Sequence, residues 1–377
     1  MRFAPTEEQT EFAAATGALL ADTCPPSAVA AAWGGEVGRH TGLGDGDGRI
    51  RAAWDALVEM GVNGILVPEQ QGGLAMSLDH LVGVLEECGY SALPDPVADS
   101  AGVVAHSLGQ CSDTAPDVGA VNDTLAAVAA GSTVVSGFGS SPLVASATTA
   151  DTLLMFTRDP TRVDPDAPAD PAADRVVLLD RSEVDLEPVE SVDGSRALAR
   201  VRWDAASGAC VAQGSAASAL TDEAFLVAAL ADSALLVGLG RAMIDLTVSY
   251  VGERKQFGVP VGSFQAVKHH LANAALAVQF AEPLVRNAAH LMSGGVAVEA
   301  PGSIPTDSRS MAVSAAKARS SDAAKKVTET ALQCHGAIGY TVEADLHLFM
   351  KRAWALARSH GDSAFHLKRV RRQLLAG

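Results

Sequence analysis

Residues 250–272 read YVGERKQFGVPVGSFQAVKHHLA, and this stretch decides how the rest of the chain is arranged. Helical periodicity runs up to Arg254, breaks over Gly258, Pro260 and Gly262, and resumes through Val267, Leu271 and Leu276. That is the pattern of two long helices joined by a tight turn. Arg254 is a permanent cation at the end of the first helix, and its planar fork suits the oxygens of a pyrophosphate. The glycines let backbone come close to a bound group. Phe257 and Phe264 offer flat apolar surfaces for an adenine ring, and Gln265 offers an amide. The same arginine also serves to offset a helix dipole, and generic chemistry does not separate the two roles.

Working outward, Leu226, Leu230, Ala234, Gly238 and Ala242 share one face of the upstream helix. Downstream, residues 294–307 read as a loop, the alanine-rich 308–332 as a third helix, and the basic C-terminal segment as a fourth. Before this four-helix unit the pattern changes. TVVSG (133–137), TLLMFT (152–157), VVLLD (176–180) and ALARVRW (197–203) are short and rich in strand formers. Residues 159–174, with spaced prolines and aspartates, read as an exposed loop. The first part of the chain is helical again: a start at Thr6, a helix with Trp54, Leu57 and Met60 closed by Gly61, a turn at Gly72 and Gly73, and a helix through Leu78, Leu81, Val82 and Leu85. The expected organisation is therefore α, then β, then α, over 1–120, 121–210 and 211–377.

Composition fits such a chain. Of its 377 residues 48% are hydrophobic and only 5% aromatic, so a large alanine-rich helical core is affordable. The net charge of -16 argues against nucleic acid as a partner. Five scattered cysteines with no C-x-x-C pair argue against a disulfide framework or a structural zinc site, and no metal is expected. The first residues have no secretory pattern, and no uninterrupted apolar run reaches the length of a membrane span, which gives a cytoplasmic expectation.

A second segment, QCHGAIGYTVEADLHLFMKRA (333–353), places Gly336 and Gly339 at a helix-to-loop junction beside Gln333 and His335. Taken together, the two segments resemble the acyl-CoA dehydrogenase family, whose C-terminal region carries R-x-x-F-G, then F-Q, then Q-x-x-G-G-x-G-Y. Here these are Arg254, Phe257 and Gly258; Phe264 and Gln265; and Gln333, Gly336, Ala337, Gly339 and Tyr340. Residues 61–89 are similar to the family's N-terminal G-x-x-x-x-x-x-P-x-x-x-G-G-x-G segment, with Leu74-Ala75 where Leu-Gly is usual.

The resemblance implies a mostly α fold with a middle β domain: an N-terminal helical domain, a small β-barrel-like domain and a C-terminal four-helix bundle. It implies FAD as cofactor, with Arg254, Gln256, Phe257, Phe264, Gln265, Gln333, Gly336 and Ala337 contacting the ADP half across a subunit interface. It implies α,β-dehydrogenation of an acyl-CoA thioester, in which a carboxylate takes the α-proton and the flavin a hydride, with an electron-transfer flavoprotein as acceptor.

Two departures qualify this. The family's glutamate base stands in one of two places, and here those places hold His360 and Ala228. His360 reads as a polar residue at the start of the last helix, where a cap is ordinary. The middle region also lacks the T-E-P-x-x-G-S-D and W-I-T-like stretches that touch the flavin ring. Both losses occur together in actinobacterial steroid-degrading members, where two unlike chains form an α2β2 complex and one keeps mainly the ADP-side contacts. The ending TVEADLHLFMKRA is similar to the one common in that branch. The leading expectation is a companion to a base-bearing paralogous subunit. A self-sufficient homo-oligomer using His360 or Asp362 as a substitute base, and a non-redox scaffold of the same fold, are the alternatives.

Overall fold

The computed structural model describes residues 4–34, 46–161, 171–295 and 308–375. The chain divides into two compact units, one of Met1–Ala30, Val82–Leu93 and Ala229–Gly377, the other of Ala31–Leu81 and Pro94–Ala228.

Helices come first: α1 (Glu7–Thr23), α2 (Pro26–Ala32), α3 (Arg51–Glu59) and α4 (Leu78–Tyr90). The predicted start at Thr6 is a capping box, in which Thr6 Oγ1 accepts from the Gln9 amide and Gln9 Oε1 accepts from the Thr6 amide. After α3 the chain turns through Gly61 in the left-handed conformation, as predicted. Three helical stretches escaped the periodicity reading: α2, a π-helical run Ala98–Val104 continuing into α5 (Ala105–Gly109), and α6 (Val118–Ala129). Their alanine, valine and glycine content carries little contrast between faces.

The β region follows as β1 (Val134–Phe138), β2 (Leu143–Val144), β3 (Thr152–Phe156), β4 (Arg175–Asp180), β5 (Asp185–Pro188), β6 (Ala199–Arg202) and β7 (Ala209–Gln213). One sheet has the order β1-β3-β4-β7 and the other β2-β6-β5. Strand β1 runs parallel to β3, and the remaining pairs are antiparallel, with a bulge at Val176/Val177. Val135, Leu153, Met155, Val177, Leu179 and Val201 fill a common core. The four expected strands are present. The sequence reading omitted β2, β5 and β7, which are very short, largely exposed, or built from Ala and Cys. Within this unit Arg49, itself buried, holds Asp95 and gives Thr133 a 2.8 Å hydrogen bond, joining the helical part to the start of β1.

The last part contains α7 (Ser215–Glu253), a short hairpin of β8 (Lys255–Gln256) and β9 (Val259–Pro260), α8 (Gln265–Met292), α9 (Ser308–His335), α10 (Leu346–Leu356) and α11 (Ser363–Leu375). The basic C-terminal segment, expected as one helix, is two, because Ser359 to Asp362 turn the chain between them. Helix α7 contains an apolar window of which 94% is buried, so its middle is a core helix rather than a candidate membrane span. The expected loops at 159–174 and 294–307 lie mostly outside the described residues.

Candidate functional site

The turn between α7 and α8 is a β-hairpin with a two-residue loop. Phe257 and Gly258 have φ of 54° and 82°, the doubly left-handed geometry of a type I′ turn. Glycine adopts this without cost, but a bulky side chain does not. Phe257 nevertheless sits there 92% exposed, its ring edge-on to Phe264 with centroids 6.3 Å apart. The amide of Val261 donates to the Arg254 carbonyl at 2.7 Å, fixing the base of the hairpin to the end of α7.

At the far end of α9 the chain passes through Gly336, φ 64°, into a 3₁₀ turn over Gly336–Tyr340. A Cβ at Gly336 would meet nothing within 4 Å, so the glycine serves the backbone angle and leaves open space beside it. The Tyr250 ring stacks on His335 at 4.4 Å with 13° between planes, and the Tyr250 hydroxyl donates to the His335 carbonyl. Burial pushes the His335 imidazole below its usual range, so the ring is held neutral, with Nδ1 donating to the Ala331 carbonyl.

These two segments enclose a groove of about 470 Å³, lined by Arg254, Gln256, Gly336 and Ala337 together with Tyr250, Val261, Cys334, His335 and Ile338. Half of the predicted contact residues therefore converge. Phe257 at the hairpin tip pairs with Phe264 at the start of α8, while Gln265 and Gln333 are exposed and do not line the groove. Tyr250 was missed as a wall residue, although its position one helical turn before Arg254 put it on the same face. The groove offers a guanidinium, an amide and an unobstructed glycine backbone, which fits the phosphate-rich half of a dinucleotide. In the N-terminal segment of the resemblance, Ala75, standing where the glycine of Leu-Gly is usual, has φ 49° and so keeps a glycine-type conformation.

The two base positions look different. Ala228 is 2% exposed and has no proton-accepting side chain. His360 has φ 50°, and its Nδ1 donates to Asp232 Oδ2 at 2.9 Å. Asp232 is buried on α7, one turn beyond Ala228. The turn carrying His360 is pinned from two sides. His366 Nε2 donates to the His360 carbonyl at 2.8 Å. The ammonium of Lys317, fully buried on α9, donates to the carbonyls of Leu356, Gly361 and Ala357 at 2.9, 3.2 and 3.3 Å. Burial lowers the Lys317 ammonium from its ordinary value, opposed by Asp232 and Asp362. His360 is not the cap of α11: Asp362 is, its Oδ1 accepting from the Phe365 amide at 2.9 Å.

A long buried helix, a following hairpin with an arginine at its base, and a glycine turn across the groove make up the C-terminal part of an acyl-CoA dehydrogenase fold. Residues 215–375 match the family model described as acyl-CoA dehydrogenase, C-terminal domain. Over this stretch the chain carries the C-terminal domain of the acyl-CoA dehydrogenase family. It is 28% identical over 355 residues to acyl-CoA dehydrogenase IpdE2 of Mycobacterium tuberculosis, covering 94% of this chain and 93% of the relative. Its fold is that of the ChsE4-ChsE5 complex from Mycobacterium tuberculosis, with a TM-score of 0.79 at 19% identity and all of both chains covered. It is also that of a variant of the Tcur3481-Tcur3483 steroid ACAD, with a TM-score of 0.77 at 22% identity over 98% of each chain.

Proposed function

We propose that this chain is one subunit of a heteromeric FAD-dependent acyl-CoA dehydrogenase, and that it completes a flavin site whose base belongs to a paralogous partner. The observation that carries this is the contrast within the chain: four of the eight residues expected on the ADP side, Arg254, Gln256, Gly336 and Ala337, line one open groove, while neither base position holds a carboxylate. Arg254 would hold the pyrophosphate, Gln256 and Gln265 would offer amides, and Gln333, Gly336 and Ala337 would lie along the ADP. Phe257 and Phe264 present an aromatic pair toward the partner. Bound FAD supplies the two-electron acceptor; the chain's own residues bind and orient it. In this reading 1–120, 121–210 and 211–377 are the three domains, and an electron-transfer flavoprotein reoxidises the complex. The solved steroid ACAD of the same fold supports an acyl-CoA with a steroid-derived side chain as the substrate class.

The absorbance spectrum is the direct test. Made alone, the chain is expected to retain little flavin; made with a base-bearing paralogue, it is expected to give a yellow complex. A fully flavin-loaded homo-oligomer would overturn the proposal.

One observation favours a second reading, a self-sufficient enzyme. The Asp232 bond fixes His360 with its proton on Nδ1, the tautomer whose other nitrogen can accept a proton. His360→Gln keeps a donor for Asp232 and removes the imidazole. A loss of several orders of magnitude in turnover with flavin content unchanged would select this reading over the first.

A further inference from the structure

Helices α4 and α7 touch backbone to backbone. A Cβ on Gly238 would lie 1.9 Å from the Glu86 carbonyl oxygen, and one on Gly89 would lie 2.2 Å from that of Leu235. Glu86 sits on α4 at this crossing and is 3% exposed. Its Oε1 has no hydrogen-bond partner, and its Oε2 is 3.4 Å from Arg286 Nη2 on α8. That same Nη2 is committed to Glu282 Oε1 at 2.6 Å, one turn back on α8. The other nearby cation, Arg241 on α7, pairs with Glu87 at 3.1 Å. Two guanidiniums thus face three carboxyl groups, and the group left without a close partner is the most buried of the three. A carboxylate cannot be held there without charge compensation, and the low-cost alternative is to keep the proton.

We propose that Glu86 is a proton-operated joint between α4, α7 and α8, closed while the carboxyl is neutral and loosened when it ionises. The groups facing it are Arg286 and Glu282 from α8, Arg241 from α7 and Glu87 from α4 itself. Burial, only partly opposed by Arg286, pushes the Glu86 carboxyl up to about 7. An acid raised on folding contributes stability that is present at low pH and is lost as pH rises from its unfolded value through about 7. The effect needs no flavin and is independent of the reading of the groove.

Thermal unfolding of the whole chain, wild type against Glu86→Gln, tests it between pH 5 and 8.5. His366, lowered to about 4 by burial, gives a slope of the opposite sign below its ordinary value, and comparison with the variant removes that contribution. The wild-type midpoint is expected to fall by several degrees relative to the variant as pH rises from 5 through about 7 and to level off above it; parallel curves would overturn the proposal. Infrared spectroscopy of the wild type gives a second measure that does not depend on the variant folding. A protonated-carboxyl band is expected to disappear with a midpoint near neutrality, and absence of any such band above pH 6 would overturn the joint.

Discussion

Phe257 and His360 share a backbone conformation that L side chains rarely adopt, yet their surroundings are opposite. His360 is held by its own chain: Asp232 takes its ring, His366 its carbonyl, and Lys317 the carbonyls on either side of it. Phe257 is almost fully exposed and touches mainly Phe264. Strain of order 1 kcal/mol persists only where something over-determines it. At His360 the determinant is inside the molecule, so the turn is a finished piece of architecture. At Phe257 it is the two-residue hairpin alone, and the side chain is presented outward, as a group that finds its packing on another molecule would be.

The sharpest way to break this comparison is Lys317→Met. It removes the ammonium from the carbonyls of Ala357 and Gly361 and leaves that of Leu356 only the Ser359 amide, and at roughly 1–3 kcal/mol for each unsatisfied group the chain is expected to lose about 2–3 kcal/mol in a denaturant titration. Next in size is Arg254→Ala. Charge-assisted hydrogen bonds are worth roughly 1.5–3 kcal/mol, so flavin release from the assembled complex should become about 10- to 100-fold easier, with Arg254→Lys recovering only part. Unchanged flavin content in both would remove the groove from the proposal. Phe257→Gly should act in two directions at once. Relief of the left-handed strain, less the added backbone entropy, stabilises the isolated chain by about 0.5–1 kcal/mol, while assembly with the partner weakens. A variant that assembles normally would place Phe257 outside any interface. His360→Gln should have the smallest effect: turnover of the complex within about threefold, or less than about 0.7 kcal/mol of barrier, with the pH profile unmoved.

The groove was legible in part: Arg254, Gln256, Gly336 and Ala337 fall in two compact segments whose glycines and arginine stand at fixed spacing, while its walls at Tyr250, Val261, Cys334 and Ile338 carry no such signal. The pinned turn was not. Its key bond joins Asp232 to His360 across 128 residues. Lys317, in the stretch AAKARSSDAAKK, looks like any solvated lysine on an alanine-rich helix. Nothing local marks it as fully buried; only the docking of α10 and the following turn onto α9 does. The α, β, α order of the fold was readable from residue type alone. The omitted run Ala98–Gly109 is buried nearly all round and so lacks the polar face that periodicity needs; Val118–Ala129 has only a thin stripe of Val121, Leu125 and Val128, and β5, only four residues long, offers the core a single apolar side chain, Leu186.

The cage around Lys317 has a further consequence for how the molecule is policed. An ammonium sealed in the middle of α9 is tolerable only while the carbonyls of residues 356, 357 and 361 surround it. A proteolytic nick just after α10, or a transcript that ends there, would remove part of that cage and leave a positive charge in a dry interior. Such a damaged chain would unfold and be cleared, rather than survive as a truncated form.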